Sequence, residues 1–373
     1  MSRRTPDPLR DRQARARLRR ALRRWYVRHR RDLPWRHDRD PYRIWVSEVM
    51  LQQTQVAAVV PYFQRFLQAF PTLADLAAAD VQEVLRLWEG LGYYRRARDL
   101  HRAARQIVAE HGGRLPRDPA LLGRLPGVGR YMVGAVLSQA FDQRLPIVEA
   151  NSQRVLCRLF GQRSDPRRGP TQRWLWQAAA ALLPRRHVGE FNQALMELGA
   201  LVCTPAAPRC PACPLRRQCA AHRLGLQEEI PARPAPPRIE EVREAAAVVR
   251  RGRSVLLVQR PEPGRWAGMW EFPHGPLGDG ETHEEALARL LPALTGLSAN
   301  LGPELATIRH GITRFRITLV CFEAQYRSGK FHSSFYRQGR WVAPAELERY
   351  PFSVPQRRLA TIFLDANRQR HLF

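Results

Sequence analysis

Leu122-Gly123-Arg124-Leu125-Pro126-Gly127-Val128-Gly129-Arg130-Tyr131 lies between two stretches of helical periodicity and decides how the N-terminal part of the chain is read. Pro-Gly-x-Gly cannot continue a helix, so the chain must turn tightly there. Its glycines leave amides exposed where the next helix begins, and backbone N–H groups at a helix N-terminus favour an anion. The stretch therefore predicts a helix, a hairpin and a second helix, with Gly127, Gly129 and Arg130 gripping a phosphate backbone without reading its sequence. Upstream, Val56, Val59, Val60, Phe63, Phe66, Leu67 and Phe70 recur at intervals of three and four, and no strand pattern interrupts from Pro41 to about Gly112.

Composition agrees with a polyanionic partner. The chain has 373 residues, enough for two or three domains, and a formal net charge of +27. Residues 1–36 hold fourteen arginines against three aspartates, a solvated arm or helix face that collectively tracks phosphates. Lys330 is the only lysine. Neither a membrane-spanning apolar run nor a signal-peptide core is visible, so a cytoplasmic protein is expected; its expected form is a monomer. Six cysteines in that compartment, four of them clustered, argue for metal rather than disulfides.

Trp45-Val46-Ser47-Glu48-Val49-Met50-Leu51-Gln52-Gln53-Thr54-Gln55-Val56 sets one carboxylate among apolar neighbours, followed by four hydrogen-bonding side chains. Read as one helix, it puts Trp45, Val49, Gln52 and Val56 on one face and Glu48, Leu51, Gln52 and Gln55 on the next. Such a mixture suits a helix lining a polar cleft. Desolvation there would raise the pKa of Glu48 and suit it to general acid work; a surface or capping glutamate is the alternative. Trp88 to Arg98 places two glycines beside two tyrosines and three arginines. Such a loop can prise base pairs apart, or simply form a helix corner with packed tyrosines.

Cys203-x6-Cys210-x2-Cys213-x5-Cys219 brings four thiolates onto one proline-rich loop, which needs a metal; zinc would accept four sulfurs. Cys157 and Cys321 read as ordinary buried thiols. Ile230 to Arg238 is a proline-rich linker. Beyond it the period changes to strands, over Glu244–Arg250, Ser254–Arg260 and Arg316–Ala324. Three parts follow: a helical domain over 1–229, a linker over 230–238 and an α+β domain over 239–373.

The run from Leu33-Pro34-Trp35-Arg36 through Pro41-Tyr42 to Ser47-Glu48-Val49-Met50-Leu51-Gln52-Gln53-Thr54-Gln55 resembles the MutY-type adenine DNA glycosylases, which remove adenine paired with 8-oxoguanine. The resemblance covers nearly the whole chain from Leu33. It implies a mostly α helix-hairpin-helix glycosylase fold of two helical subdomains, and identifies the cysteine loop with the 4Fe-4S loop of endonuclease III-like glycosylases. It also implies double-stranded DNA carrying an adenine:8-oxoguanine or adenine:guanine mispair as partner, in a bacterial nucleoid. Hydrolysis of an N-glycosidic bond passes through an oxocarbenium-like state, so one acid and one anion are wanted. Glu48 takes the first role and Glu149 the second, with help from Tyr131 and Asn151. Glu149-Ala150-Asn151 departs from the usual Asp-Gly-Asn, and an acidic N-cap is the other reading of Glu149. Relatives that also cleave the strand carry a lysine where Tyr131 stands, so this chain is expected to use water as its nucleophile.

By the same resemblance Arg36 and Gln193 contribute to the adenine pocket, while Gln52, Gln53, Thr54, Leu91 and Tyr93 meet the strand bearing 8-oxoguanine. Trp266 to Gly275 resembles the entry to a Nudix fold. Gly275, Glu281 and Arg289 keep the spacing of its catalytic box, but Leu290, Ala293 and Leu294 stand where glutamates would hold magnesium, so recognition rather than hydrolysis is implied. In that domain Thr313 preserves the hydroxyl of a Phe-Ser-His loop. Ile312 and Arg314 depart from it, and Arg314 reads equally as a surface hairpin residue. Two other functions remain open: a glycosylase of the same fold with different base specificity, and a DNA-binding scaffold without chemistry.

Overall fold

The structure, a computed structural model, describes residues 9, 11–232 and 238–370; Arg3, Arg4 and Arg10 of the basic start, and linker residues 233–237, lie outside the described residues. The helices before the linker are α1 (Arg12–His29), α2 (Pro41–Leu51), α3 (Val56–Ala69), α4 (Leu73–Ala78), α5 (Val81–Trp88), α6 (Arg95–His111), α7 (Pro119–Leu122), α8 (Arg130–Phe141), α9 (Ala150–Phe160), α10 (Gly169–Leu182), α11 (Val188–Leu201) and α12 (Ala220–Leu224). Beyond the linker come β1 (Glu240–Arg251), β2 (Ser254–Gln259), β3 (Trp270–Glu271), β4 (His274–Pro276), α13 (His283–Thr295), β5 (Leu297–Ile312), β6 (Phe315–Gly329), β7 (Gln338–Val342) and α14 (Val354–Arg370). The chain forms two units. One holds the residues up to Ala77 and those from Arg102 to the linker; the other joins Ala78–His101 to everything after the linker.

In the first unit the arginine-rich start is a packed helix from Arg12 rather than a free arm. Asp11 caps α1 by accepting from the Gln13 amide at 2.7 Å. Leu18, Leu22, Trp25 and Tyr26 share one face and enter a core with Leu156 of α9 and Leu195 and Leu198 of α11. Each such side chain contributes about 1.5–3 kcal/mol on burial, which holds the helix while most of its arginines face outward; Arg19 instead turns in to donate to the Leu182 and Leu183 carbonyls at 2.7 and 2.6 Å.

Asp40 and Pro41 start α2, the carboxylate accepting from the amides of Tyr42 and Arg43. The helix predicted to continue to Val56 stops at Leu51. Gln52 leaves helical geometry, Gln53 takes φ +59°, and the Thr54 amide closes a turn onto the Leu51 carbonyl at 3.3 Å. Gln52 and Val56 therefore do not extend the Trp45 face. Helix α2 packs on α8, and α11 packs across α1, α8 and α9. Two glycines permit these close approaches. A Cβ on Gly134 would lie 2.2 Å from the Pro146 carbonyl oxygen, and one on Gly199 would lie 2.6 Å from Cβ of Asn151. The Pro146–Asn151 segment is thereby held against α8 and α11.

The second unit is built on a seven-stranded mixed sheet of order β3-β2-β1-β6-β5, with β4 on β1 and β7 on β2. Strand β1 runs parallel to β6 from Glu240↔Phe315 to Arg250↔Gln325 and antiparallel to β2, which it meets through Gly252 at φ +57°. Its side chains alternate. Ala246 and Val248 pack toward Leu359 and Phe363 of α14, whereas Ala245, Ala247 and Val249 pack toward Leu287, Leu290 and Leu291 of α13. The sheet is thus covered on both faces. In the degenerate box, Glu281 is paired with Arg289 at 2.7 Å, and Leu290 is buried so tightly under Gly275 that a Cβ there would meet it at 2.9 Å. Leu294 packs against the same core and Ala293 is exposed. A core leucine supplies no hard oxygen ligand.

Candidate active site

Glu48 lies on the buried side of α2 and is almost fully enclosed. Tyr131, in the first turn of α8, donates to Glu48 Oε2 at 2.6 Å, and Gln139, two turns further on, donates from Nε2 to Oε1 at 2.7 Å. Behind Gln139 the chain of donors continues. Gln193 Nε2 of α11 donates to Gln139 Oε1 at 2.7 Å, and the Tyr26 hydroxyl of α1 donates to Gln193 Oε1. Burial raises the Glu48 pKa; the hydrogen bonds from Tyr131 and Gln139 oppose this, and the charge of nearby Glu149 adds to it. Burial, followed by the Glu48 charge, likewise raises Tyr131 well above its ordinary value, so its proton stays in place at neutral pH.

Glu149 is the N-cap of α9 and lines the same cavity, so the capping and cavity readings hold together. Its Oε1 accepts from the Ser152 amide at 2.7 Å and its Oε2 from the Asn151 amide at 2.8 Å, while its own amide donates to Ser152 Oγ at 2.8 Å. Burial again raises the pKa, but here charge-stabilising amides oppose it. The two carboxyls therefore differ. One is held by neutral side-chain donors and is the more enclosed, the other by amides at a positive helix end, and burial raises both.

The cavity measures about 640 Å³, within the roughly 300–1,000 Å³ of ordinary ligand pockets. Arg36, Glu48, Gln53, Thr54, Tyr131, Glu149, Asn151 and Gln193 all line it. Gln52, on the broken helix end, is not among the lining residues. Arg36 is fixed by Glu197, donating from Nη2 to Oε2 at 2.9 Å, and its guanidinium lies 5.8 Å from the Tyr26 ring centre. Glu197 also takes a two-pronged contact from Arg31 at 2.9 and 2.8 Å. Burial pushes this carboxyl up, but Arg31 and then Arg36 outweigh it and bring it to about 2. Tyr26, Gln139 and Glu197 escaped the sequence reading. Gln139 and Glu197 are polar side chains among the buried residues of α8 and α11, which is the signal that marks them.

The hairpin keeps its glycines for geometry. Gly127 has φ +73°, and Gly129, the N-cap of α8, has open space where a Cβ would project, so another surface can approach its amides. Arg130 stacks on Trp176 at 4.0 Å. The remaining expected contacts belong to the second unit. Tyr93 is half exposed at φ +49°, whereas Leu91 is buried, so of this pair only the tyrosine is presented as a wedge. Thr313 sits exposed at the tip of the β5–β6 hairpin, its hydroxyl donating to the Ile312 carbonyl at 2.7 Å. At φ +51° this β-branched residue carries strain of about 1–3 kcal/mol. Arg314 beside it pairs with Glu240 at 3.1 Å, both largely in solvent.

None of the six cysteines is in a disulfide, and Cys157 and Cys321 are buried. In the loop, burial raises Cys210, Cys213 and Cys219, with the other loop cysteines adding to the rise. Backbone amides of Leu215 and of His222 and Ala221 point at Cys213 and Cys219, and Arg158 Nη1 reaches Cys203 Sγ at 3.3 Å. Soft thiol donors with N–H groups aimed at sulfur are the chemistry that a thiolate-bound metal or cluster uses. No helix among the described residues is long and apolar enough to cross a membrane.

Residues 46–180 match the HhH-GPD superfamily of base excision DNA repair proteins, and residues 245–361 match a NUDIX domain. The adenine DNA glycosylase of Rattus norvegicus is 37% identical over 407 residues, spanning 94% of this chain and 78% of the relative. That of Mus musculus is 40% identical over 348 residues, 79% of this chain and 68% of the relative. Among solved structures, a thermostable thymine-DNA glycosylase matches with a TM-score of 0.52 at 30% identity, over 57% of this chain and 98% of that one. With its paired carboxylates, its hairpin and its degenerate Nudix-like unit, the chain belongs to the adenine DNA glycosylase family of the HhH-GPD superfamily.

Proposed function

We propose that the protein is a monofunctional DNA glycosylase that hydrolyses the N-glycosidic bond of adenine mispaired with 8-oxoguanine or guanine and leaves an abasic site. The observation that carries this reading is the pair Glu48 and Glu149 on one cavity of about 640 Å³, ample for a nucleobase, the first held by side-chain donors and the second by backbone amides. Duplex DNA is bound through phosphates by the basic surface and the hairpin amides. Adenine is extruded at a cost of a few kcal/mol, offset by contacts with Arg36, Gln193 and the cavity walls. Glu48 passes its proton to a ring nitrogen of the purine, and the bond to C1′ breaks with its electron pair leaving on the base. The carboxylate of Glu149 stabilises the sugar cation, with Tyr131 and Asn151 beside it. Water then adds its oxygen to C1′ and passes its proton to a carboxylate of the pair, which restores the proton that Glu48 gave up. Tyr131 offers no amine for a Schiff base, so the strand stays intact.

Gln53, Thr54 and Tyr93 act around the oxidised purine, and the Nudix-like unit presents Thr313 to the same strand. The domain boundaries follow as a glycosylase domain over 1–229, a linker over 230–238 and a recognition domain over 239–373, in a monomer that meets DNA in a bacterial cytoplasm. Cys203, Cys210, Cys213 and Cys219 hold a 4Fe-4S cluster. When bound, it supplies a cross-link for the loop and a one-electron redox centre.

The test is chromatography of free bases from duplexes carrying adenine or thymine opposite 8-oxoguanine or guanine, or an oxidised pyrimidine. Adenine alone should be released, with strand breakage only after alkali. Release of thymine or an oxidised pyrimidine instead would assign another specificity, and binding without any free base would leave a scaffold without chemistry.

A further inference from the structure

The loop that presents Tyr93 is tied to the C-terminal part of the chain at its base by a two-pronged ion pair, with Tyr94 and Arg98 adding contacts on its far side. Glu89 is the C-cap of α5. Its Oε1 accepts from Arg357 Nε of α14 at 2.6 Å and its Oε2 from Arg357 Nη2 at 2.9 Å. Oε2 also accepts from the Phe352 amide at 3.1 Å. Arg357 spends its remaining donors on the carbonyls of Leu347 and Tyr350, at 3.1 and 2.7 Å, and lies over the Phe352 ring at 4.7 Å. A two-pronged guanidinium contact fixes orientation as well as distance. The far end of α5 is held independently: Trp270 Nε1 donates to Gln82 Oε1 at 2.9 Å, and Gln82 Nε2 donates to the Gly268 carbonyl at 3.2 Å.

From Glu89 the fixation runs directly into the loop. Gly90 and Gly92 both have positive φ, at +99° and +71°, as does Tyr93, so the three together define one particular turn. Trp88 Nε1 and Arg96 Nη2 donate to the Gly92 carbonyl at 3.2 and 3.1 Å, and the Arg96 guanidinium lies 5.5 Å from both the Trp88 and the Tyr93 ring centres. The turn is thus stiff in itself. Its orientation is set where α5 ends, at the carboxylate held by Arg357.

We infer that Glu89 and Arg357 are positioning residues for opposite-base discrimination: the C-terminal part sets the angle at which Tyr93 meets the strand across from the extruded base. This rests on the functional reading above. Neither residue lines the catalytic cavity, so their loss acts on discrimination and spares the chemistry.

The test measures single-turnover adenine release from duplexes with 8-oxoguanine, guanine or an abasic analogue opposite, for the full chain and for Glu89→Gln, Arg357→Lys and the exchange pair Glu89→Arg with Arg357→Glu. Rates are scaled to the active fraction, and melting temperature reports on folding. For the single variants we expect the preference for 8-oxoguanine over guanine to fall about tenfold, the usual scale of coupling between sites, with the rate opposite the abasic analogue unchanged. The exchange pair should recover part of the preference. An unaltered preference in a folded variant, or an equal loss on all three duplexes, overturns the inference. A wild-type chain that releases adenine without any preference overturns it as well. A wild-type chain that releases no adenine refutes the functional reading instead.

Discussion

Replacing Glu48 with glutamine changes one protonation site and almost nothing else. The amide has the shape of the carboxyl. Its oxygen can accept from Gln139 Nε2, now 2.7 Å from Glu48 Oε1, while its NH2 donates to the Tyr131 hydroxyl, now 2.6 Å from Oε2. The Tyr131 proton then turns to Met196 Sδ, already 3.5 Å away. No buried group is left unpaired, so stability should shift by no more than about 1 kcal/mol near neutral pH. Its pH dependence should change in a defined sense. A carboxyl whose pKa is raised on folding contributes stability below its unfolded value and loses it as pH rises through the folded value. The Glu48→Gln variant should therefore gain on the wild type as pH rises through that range. Catalysis should respond very differently. A lost general acid costs a factor of about 10²–10⁴, or roughly 2.7–5.4 kcal/mol in the barrier. Single-turnover adenine release, measured beside mispair affinity, should show that loss with binding intact. A folded variant turning over within threefold of wild type would remove Glu48 from the acid role.

Glu197→Gln should cost about 3 kcal/mol in denaturant unfolding, because it leaves Arg36 enclosed without its anion. The carboxyl's depressed value, about 2, means its stabilisation is present above pH 4.5 and lost as pH falls toward 2, so the gap to wild type should close in acid. Gly129→Ala should leave stability within about 0.5 kcal/mol, since its φ of −92° suits alanine and a Cβ there meets nothing within 4 Å. It should still weaken DNA binding similarly for all sequences, as measured by salt-dependent titration, because the methyl would stand where a phosphate approaches. Cys213→Ser should lower the iron content of the purified protein from about four atoms per chain, measured by metal analysis; full retention would exclude that cysteine as a ligand.

The parts of the fold that were legible in sequence are those written in local pattern. The Pro126–Gly129 turn, the alternation of β1 and the leucines in the Nudix-like box each depend on neighbours within a few residues. Glu48 was legible because a carboxylate on an apolar helix advertises a special partner, though not which one. Its actual partner Gln139 stands 91 positions away, beyond the reach of any periodicity. The helix break at Gln52 was missed because apolar spacing continues through Val56 while the four polar side chains favour a local turn. The allegiance of residues 78–101 was hidden for a related reason: helical spacing tells which face of α5 is buried but not against what. Its Gln82 meets Trp270 across 188 positions. Glu149 was a choice between cap and cavity only so long as the two were thought exclusive.

The proposed mechanism needs two carboxyl groups in opposite protonation states at one cavity, and the pH dependence of single-turnover adenine release from an adenine:8-oxoguanine duplex tests this most directly. A bell is predicted. The rate should fall in acid as the anionic member of the pair takes a proton, and fall in base as the proton on Glu48 is lost through a pKa above the ordinary carboxyl range, with both apparent values belonging to the pair. Glu48→Gln should abolish the basic limb. A profile that is flat across both carboxyl ranges, or whose basic limb survives in Glu48→Gln, would contradict the mechanism.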